Sequence, residues 1–417
     1  MSAPGSRDFD VIVVGAGVIG AAMASLLVSR RLCAPGRVAI IADRFSAPAA
    51  ADADWDLRVF ALGRASERLL KACGVWDSLP RQRVFAYERM RVWDAAGEPT
   101  GKGSLTFDCA EIGEPNLGHI VDGQALQWQC LQAARRSGAV LIESALAAAA
   151  CTDANVSVRL TDGREVRGQL LIGADGPQSK TRELLGIETA GHAYHQDALA
   201  AQVRTARPHC NTAWQRFLRT GPVAFLPLPD GRSSIVWTTT PSESARLRAL
   251  DPQAFGSALA SAAGDALGAC ELSTSVASFP LKLQYALQYT RPRAVLIGDA
   301  AHVVHPLAGQ GLNLGLLDCA VLADVLAGAG AAGRYGEHRL LRRYERRRRS
   351  ENLLAAAALD GLERLFSNAD PWSSGVRGIA LRAAGSLPSV KRHLAQRALG
   401  LAGDIPAFLK TESGGAA

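Results

Sequence analysis

The chain has 417 residues, 48% apolar and 20% charged, which at roughly 150 residues per domain gives about two or three domains and ample material for a large core. That composition excludes whole-chain disorder, a collagen-like repeat and a coiled coil. The net charge of +7 permits an anionic partner without demanding one; the eight cysteines include no C-x-x-C pair, which argues against a zinc site or disulfide framework and for reduced thiols in a cytosol-like compartment.

From the N-terminus, Asp10–Val14 is a short apolar run, as a strand buried on both faces requires. Gly15-Ala16-Gly17-Val18-Ile19-Gly20 follows it, then a helix over 21–30 and a second apolar strand, Val38–Ala42, ending at Asp43. This order is a βαβ unit. The uncharged run Val11–Val28 is long enough to suggest a membrane span. Asp8 and Asp10 precede it where positive charges would belong, and no cleavage site follows, so the glycine spacing explains it better. In such a turn the glycines let the backbone approach a pyrophosphate, while the helix N-terminus offers free N–H groups and a positive dipole. Asp43, 23 residues after Gly20, is placed to accept from ribose hydroxyls, and Arg44 beside it slightly favours a 2′-phosphate. Gly328–Gly333 repeats the spacing but follows a helix, and it reads as a loop.

Next come a helix over 65–73 with Gly74 at its C-cap, a helix over 124–136, and strands Val156–Leu160 and Gln169–Ile172 on either side of the turn Asp162-Gly163. The middle changes character. Trp214–Leu218, Val223–Leu228 and Ser234–Thr238 predict an antiparallel sheet, with a hairpin turn at Pro229-Asp230-Gly231. The buried-strand pattern returns at Ala294–Ile297, followed by a glycine-rich loop and a long Ala/Leu helix. From Tyr335 the pattern is helical and basic. The run Arg339–Arg349 reads as a solvated helix face, able to draw an anionic membrane through Arg342, Arg343, Arg346, Arg347 and Arg349. The tail 413–417 is expected to fray.

Two further motifs accompany the first. Gly173-Ala174-Asp175-Gly176-Pro177 leads to Ser179 and Arg182. Gly298-Asp299-Ala300-Ala301-His302 leads to His305-Pro306-Leu307-Ala308-Gly309-Gln310-Gly311-Leu312-Asn313 and on to Asp318. In this combination the sequence resembles the flavoprotein aromatic hydroxylases, the class A, para-hydroxybenzoate-hydroxylase-like flavin monooxygenases. Asp56-Leu57-Arg58, the hairpin 225–237, the His302–Gly311 segment and 398–406 are similar to the ubiquinone-biosynthesis branch, and the likeness runs from about residue 8 to 410.

The resemblance implies an α/β fold. An FAD-binding Rossmann-like domain (1–77, 115–185, 286–333) is interleaved with an antiparallel-sheet substrate domain (78–114, 186–285), and a helical C-terminal region (334–417) follows. It implies FAD as cofactor, contacted by Gly15–Gly20, Asp43, Arg44, Arg58 at the diphosphate, Gln124 loosely, Asp175 and Gly176, Asp299, and Pro306 with Gly309–Asn313. Asp299 would accept from ribityl hydroxyls, and the helix opened by Gly309 and Gly311 would stabilise charge at the flavin's N1–C2 edge. His305, Pro306 and Gln310 would lie nearest the reacting atoms. His302 and His305 lack a carboxylate or cysteine at metal-binding spacing, so no metal is expected and His302 reads as a hydrogen-bonded structural histidine. The implied activity is FAD-dependent hydroxylation of a polyprenylated phenol of ubiquinone synthesis by O2, with NAD(P)H a transient co-substrate. The implied location is cytoplasmic and peripheral on the inner membrane. An anionic membrane surface or other ubiquinone-biosynthesis proteins would be partners, and nucleic acid would not. Two alternatives stand beside it: a reductase or dehydrogenase acting on a prenyl lipid without oxygen transfer, and a flavin-binding scaffold without turnover.

Overall fold

The computed structural model describes residues 7–48, 53–101, 104–305, 309–328, 334–367 and 388–410. Pro306, the second glycine cluster from residue 329 on and the 413–417 tail lie outside them. Two large sheets and a small one organise the chain.

In the first sheet the parallel strands run in the order Val140–Glu143, Val38–Ala42, Arg7–Val14, Glu165–Gly173 and Ala294–Leu296. Thr290–Arg291 and the hairpin Leu146–Cys151/Val156–Leu160 are added antiparallel. Val11 to Val13 are fully buried because helices cover one face and the hairpin the other. The run that resembled a membrane span is therefore a core strand, a turn and the buried helix Val18–Ser29. Helix Gln310–Ala327 is also long and apolar enough to cross a membrane, but 67% of it is buried in this core.

Helices Gly123–Ser137 and Gln310–Ala327 both pack on Val18–Ser29. The second contact is unusually close. A Cβ on Gly315 would come within 2.8 Å of Ile19 Cδ1 and 3.2 Å of Gly298 Cα, so only glycine admits the approach.

The second sheet has nine strands. Its main path runs His302–Val303, Ala277–Ala286, Thr189–Thr205, Ser233–Thr239, Gly221–Pro227, Thr212–Leu218, Arg89–Asp94, Ser104–Asp108. The predicted hairpin is present, with Gly231 at φ +80° and Leu228 N–H donating to Arg232 O at 2.9 Å. Two strands central to this sheet left no clear alternation in the sequence. Thr189–Thr205 changes register between Ala193 and Asp197 around His195, whose φ is +53°, and Ala277–Ala286 carries Pro280. A bulge and a strand proline both erase the period-two signal. One face of the sheet packs under helices Pro241–Arg248 and Pro252–Ala262 through Val223, Phe225, Trp237 and Phe255. The small sheet pairs Val59–Leu62, Gly118–Asp122 and Val84–Tyr87 in that order, all antiparallel.

Helix His338–Ser367 is not the uniform solvated face predicted for it. Arg347 bonds to Asp324 and Asp404, both at 2.6 Å, and Arg342 meets Glu345 at 2.8 Å. Arg348, only 2% exposed, reaches Asp318 at 2.7 Å. Tyr344 and Leu341 on the same helix are wholly buried, so its inward face must carry its arginines to internal carboxylates. Arg339, Arg343 and Arg346 remain exposed.

Candidate active site

A cleft of about 980 Å³ lies between the parallel sheet and the face of the second sheet turned away from helices Pro241–Arg248 and Pro252–Ala262. Gly15–Ile19, Asp43, Arg58, Asp175, Gly176, Asp299, Gly309, Gly311 and Leu312 all line it, so three glycine turns distant in sequence converge on one space. This size suits an extended dinucleotide together with part of a second molecule.

Each glycine of the first turn has its own role. Gly15 sits at φ +108°, and a Cβ there would stand 2.3 Å from Ala174 O. At Gly20 a Cβ would meet Gly15 O at 2.0 Å, so this glycine packs helix on strand and does not reach the cleft. A Cβ on Gly17 would meet nothing within 4 Å, leaving the backbone open to a ligand. Gly311 is similar, its nearest neighbour being Val304 Cγ2 at 4.0 Å.

The helix caps point the same way. Helices Gly123–Ser137, Lys180–Leu184 and Pro252–Ala262 begin with Asp122, Ser179 and Asp251, whose side chains accept from backbone N–H groups. Val18–Ser29 and Gln310–Ala327 begin with Gly17 and Gly309 and have no side-chain cap. Their free N–H groups and positive dipole ends suit anionic or electron-rich atoms.

The acidic positions differ in their freedom. Asp43 ends its strand exposed on the cleft. Asp175 lines the cleft, but its carboxylate accepts from Ser179 Oγ at 2.5 Å and Thr181 N at 2.8 Å, so it shapes the turn. Asp299 has its pKa raised, chiefly by burial, with Asp318 adding to the rise while His302 and Arg58 oppose it.

Asp318 holds the turn before Asp299. It is fully buried, accepting from Gly298 N at 2.9 Å and His302 Nε2 at 2.6 Å on one oxygen, and from Arg348 Nε at 2.7 Å and Asn352 Nδ2 at 3.1 Å on the other. Burial alone would raise its pKa; His302 and Arg348 outweigh that and keep the carboxyl well below the usual range. His302 is thus a hydrogen-bonded interior histidine.

Several predicted site residues stand elsewhere. Arg44 and Gln124 are exposed and off the cleft; Gln127, one helical turn beyond Gln124, lines it instead. His305 is 1% exposed, with its ring 4.8 Å edge-on from that of Tyr194, and it does not line the cleft. Gln310 Nε2 donates to Ala398 O at 3.4 Å, away from the cleft. Asn313 acts as a clamp: its Oδ1 accepts from Gly63 N at 2.9 Å and Ser66 Oγ at 2.6 Å, while Nδ2 donates to Ala61 O at 2.9 Å. Pro306 is outside the described residues.

The opposite wall was not named from the sequence. Tyr87, Met90, Gln215, Ala224, Val236 and Thr238 form much of it, and burial pushes the Tyr87 hydroxyl up to about 12. The alternation of Thr212–Leu218 shows that Gln215 and Trp214 face opposite ways, but only the assembled sheet shows which side is the cleft.

The chain's likenesses agree with this geometry. A family model for an FAD binding domain matches residues 126–357. The 3-demethoxyubiquinol 3-hydroxylase of Escherichia coli (strain K12) is 34% identical over 400 residues, spanning 95% of this chain and 100% of that one. The ubiquinone hydroxylase UbiL of Rhodospirillum rubrum is 36% identical over 401 residues, spanning 95% and 91%. The crystal structure of p-nitrophenol 4-monooxygenase PnpA from Pseudomonas putida DLL-E4 shares the fold with a TM-score of 0.74 at 17% identity, covering 95% of this chain and 99% of that one. With its glycine turns gathered on one cleft and relatives matched over nearly its whole length, this chain belongs to the FAD-dependent hydroxylase family of ubiquinone biosynthesis.

Proposed function

We propose that this chain hydroxylates the aromatic ring of a polyprenylated phenol on the route to ubiquinone. The observation that carries the reading is the single cleft, which has uncapped, glycine-opened helix ends on one wall and a largely apolar sheet face on the other. When bound, FAD supplies the redox chemistry: it takes two electrons from NAD(P)H and lets one atom of O2 enter the ring while the other leaves as water.

The chain's own residues bind, orient and exclude. Gly17 at its helix N-terminus would hold the diphosphate, with Arg58 as the nearby cation, and Asp43 would accept from the ribose. Gly309 and Gly311 would present N–H groups to the electron-rich edge of the isoalloxazine, and Asp299 would accept from the ribityl chain. Met90, Ala224 and Val236 line the cleft with apolar surface and would keep water away from the ring. A phenol is already activated toward electrophilic oxygen, so no strong base is required beside it.

A prenylated substrate resides in lipid. The exposed Arg339, Arg343 and Arg346 would bring the protein to an anionic membrane surface from the cytoplasmic side, at about 1 kcal/mol for each basic residue near the surface.

The test is direct. The purified protein should be yellow and release FAD on denaturation. With a short-chain prenylphenol it should consume O2 and NAD(P)H and yield the ring-hydroxylated product. Oxidation of NAD(P)H without oxygen incorporation from ¹⁸O2 would favour a reductase instead.

A further inference from the structure

The sheet wall carries one side chain that its own chemistry leaves uncommitted. Gln215 lies in Thr212–Leu218, is 6% exposed and lines the cleft. Trp214, which also borders the cleft, packs against the cluster under the helices on the far face, so alternation turns the Gln215 side chain the other way. In register it stands beside Ala224, which stands beside Val236, making a polar group in an apolar row.

Gln202, another buried glutamine of this sheet, spends its amide nitrogen on Trp55 O at 2.9 Å and Asp56 O at 3.1 Å. The Gln215 amide has no hydrogen-bond partner among the described residues. Thr238, 1% exposed on the same wall, likewise has a hydroxyl without a partner among them. Neither group is a sealed polar atom: both open onto the cleft, where a bound molecule can complete their hydrogen bonds. Among the described residues that line the cleft the cations are Arg58 and Lys180, on the nucleotide side; Lys282 of the sheet acts on Asp299 but does not line this wall.

We propose that Gln215, assisted by Thr238, is the specificity-determining contact to a ring oxygen of a neutral phenol, and that the site rejects rings bearing a carboxylate. The inference rests on the phenol reading above and goes further by naming the residue and the substituent. An amide can donate to a methoxy or phenolate oxygen and accept from a hydroxyl, whereas a carboxylate buried on this wall would lack a counter-charge.

The experiment uses the FAD-loaded protein and the perturbation of flavin absorbance on titration with 2-geranylphenol, geranylbenzene and 4-hydroxybenzoate. The wild type should bind the geranylphenol at least about tenfold more tightly than geranylbenzene, because the oxygen-free ring leaves the amide unpaired. 4-Hydroxybenzoate should bind more weakly than the geranylphenol. In Gln215→Leu the phenol-to-benzene ratio should fall to about one, in part because geranylbenzene binds more tightly once no amide is left unpaired, with FAD content unchanged; Thr238→Val should lower the ratio in part. A Gln215→Leu protein that keeps both FAD and the wild-type ratio overturns the assignment while leaving the phenol reading standing. So does a wild type that binds 4-hydroxybenzoate as tightly as geranylphenol, an outcome that needs no variant to fold. A wild-type flavin that no phenol perturbs removes the phenol reading itself, and the role of Gln215 with it.

Discussion

The two walls of the cleft recognise their ligands by different means. The nucleotide wall works through backbone: at Gly15 a side chain would collide with Ala174 O, and at Gly17 and Gly311 it would occupy the space left for a ligand. The sheet wall works through side chains laid on a regular ladder, with Gln215 and Thr238 set among Ala224 and Val236. A backbone site constrains residue identity at fixed spacing, because only glycine serves there. A side-chain site constrains only size and polarity, which many residues satisfy. One wall is therefore conspicuous in a sequence and the other is nearly silent.

The contrast breaks if the nucleotide wall proves to depend on a side chain as strongly as on its glycines, and Asp318 is the place to try. Asp318→Asn keeps the shape but sets an amide donor against Gly298 N or His302 and leaves the buried Arg348 charge uncompensated. The expected loss is about 3–5 kcal/mol in urea unfolding of the apo-protein. Because the folded-state pKa of Asp318 is depressed, its contribution is fully present above the ordinary carboxylate range and is lost as pH falls through and below it. The variant should accordingly show a flatter acid limb in stability against pH. An unchanged acid limb would mean that the Gly298–Asp299 turn stands without this support.

The glycines sharpen the comparison within a single motif. Gly15→Ala faces both a left-handed φ and a backbone oxygen at 2.3 Å, so it should lose about 3 kcal/mol and retain no FAD. Gly17→Ala meets nothing within 4 Å. Its apo-protein should melt within about 0.5 kcal/mol of wild type while FAD content after gel filtration falls steeply. Equal melting losses for the two would remove the distinction between a packing glycine and a ligand-facing one.

The same reasoning explains what could be read from residues alone. The strand–turn–helix unit at 10–30, the Asp175-Gly176 turn and the Gly298–Asp299 turn were legible because they combine buried β-branched runs with glycines. The hairpin at 229–231 was legible through its turn chemistry. Gln215 was not, since a single glutamine in a strand carries no mark of the cavity it borders. Arg348 was hidden in a run of arginines in which burial depends on helix rotation and not on residue type. His305 borders the glycine-rich loop in sequence, yet packing against Tyr194 decided its place. Asn313 and Gln124 show the same limit: membership of a motif does not say whether a side chain meets the ligand or ties down the loop that does.

The smallest effect concerns Asp299, a side chain on the backbone-built wall. Burial, which outweighs the opposing charges of His302 and Arg58, raises its pKa in the free cleft, so the folded apo-protein binds this proton more readily than the unfolded chain does. Stability of the apo-protein should therefore fall as pH rises through and above the ordinary carboxylate range. Asp299→Asn removes the penalty. At neutral pH the apo-variant should be more stable than wild type, by about 1 kcal/mol, while binding FAD more weakly. Thermal melts at pH 4 and pH 7, with and without added FAD, separate the two consequences: the variant should gain over wild type at pH 7 without FAD and fall behind once FAD is saturating for the wild type. If the variant is less stable without FAD at both pH values, Asp299 braces its own turn and is not a ligand group held in waiting, and the nucleotide wall is built of backbone even here.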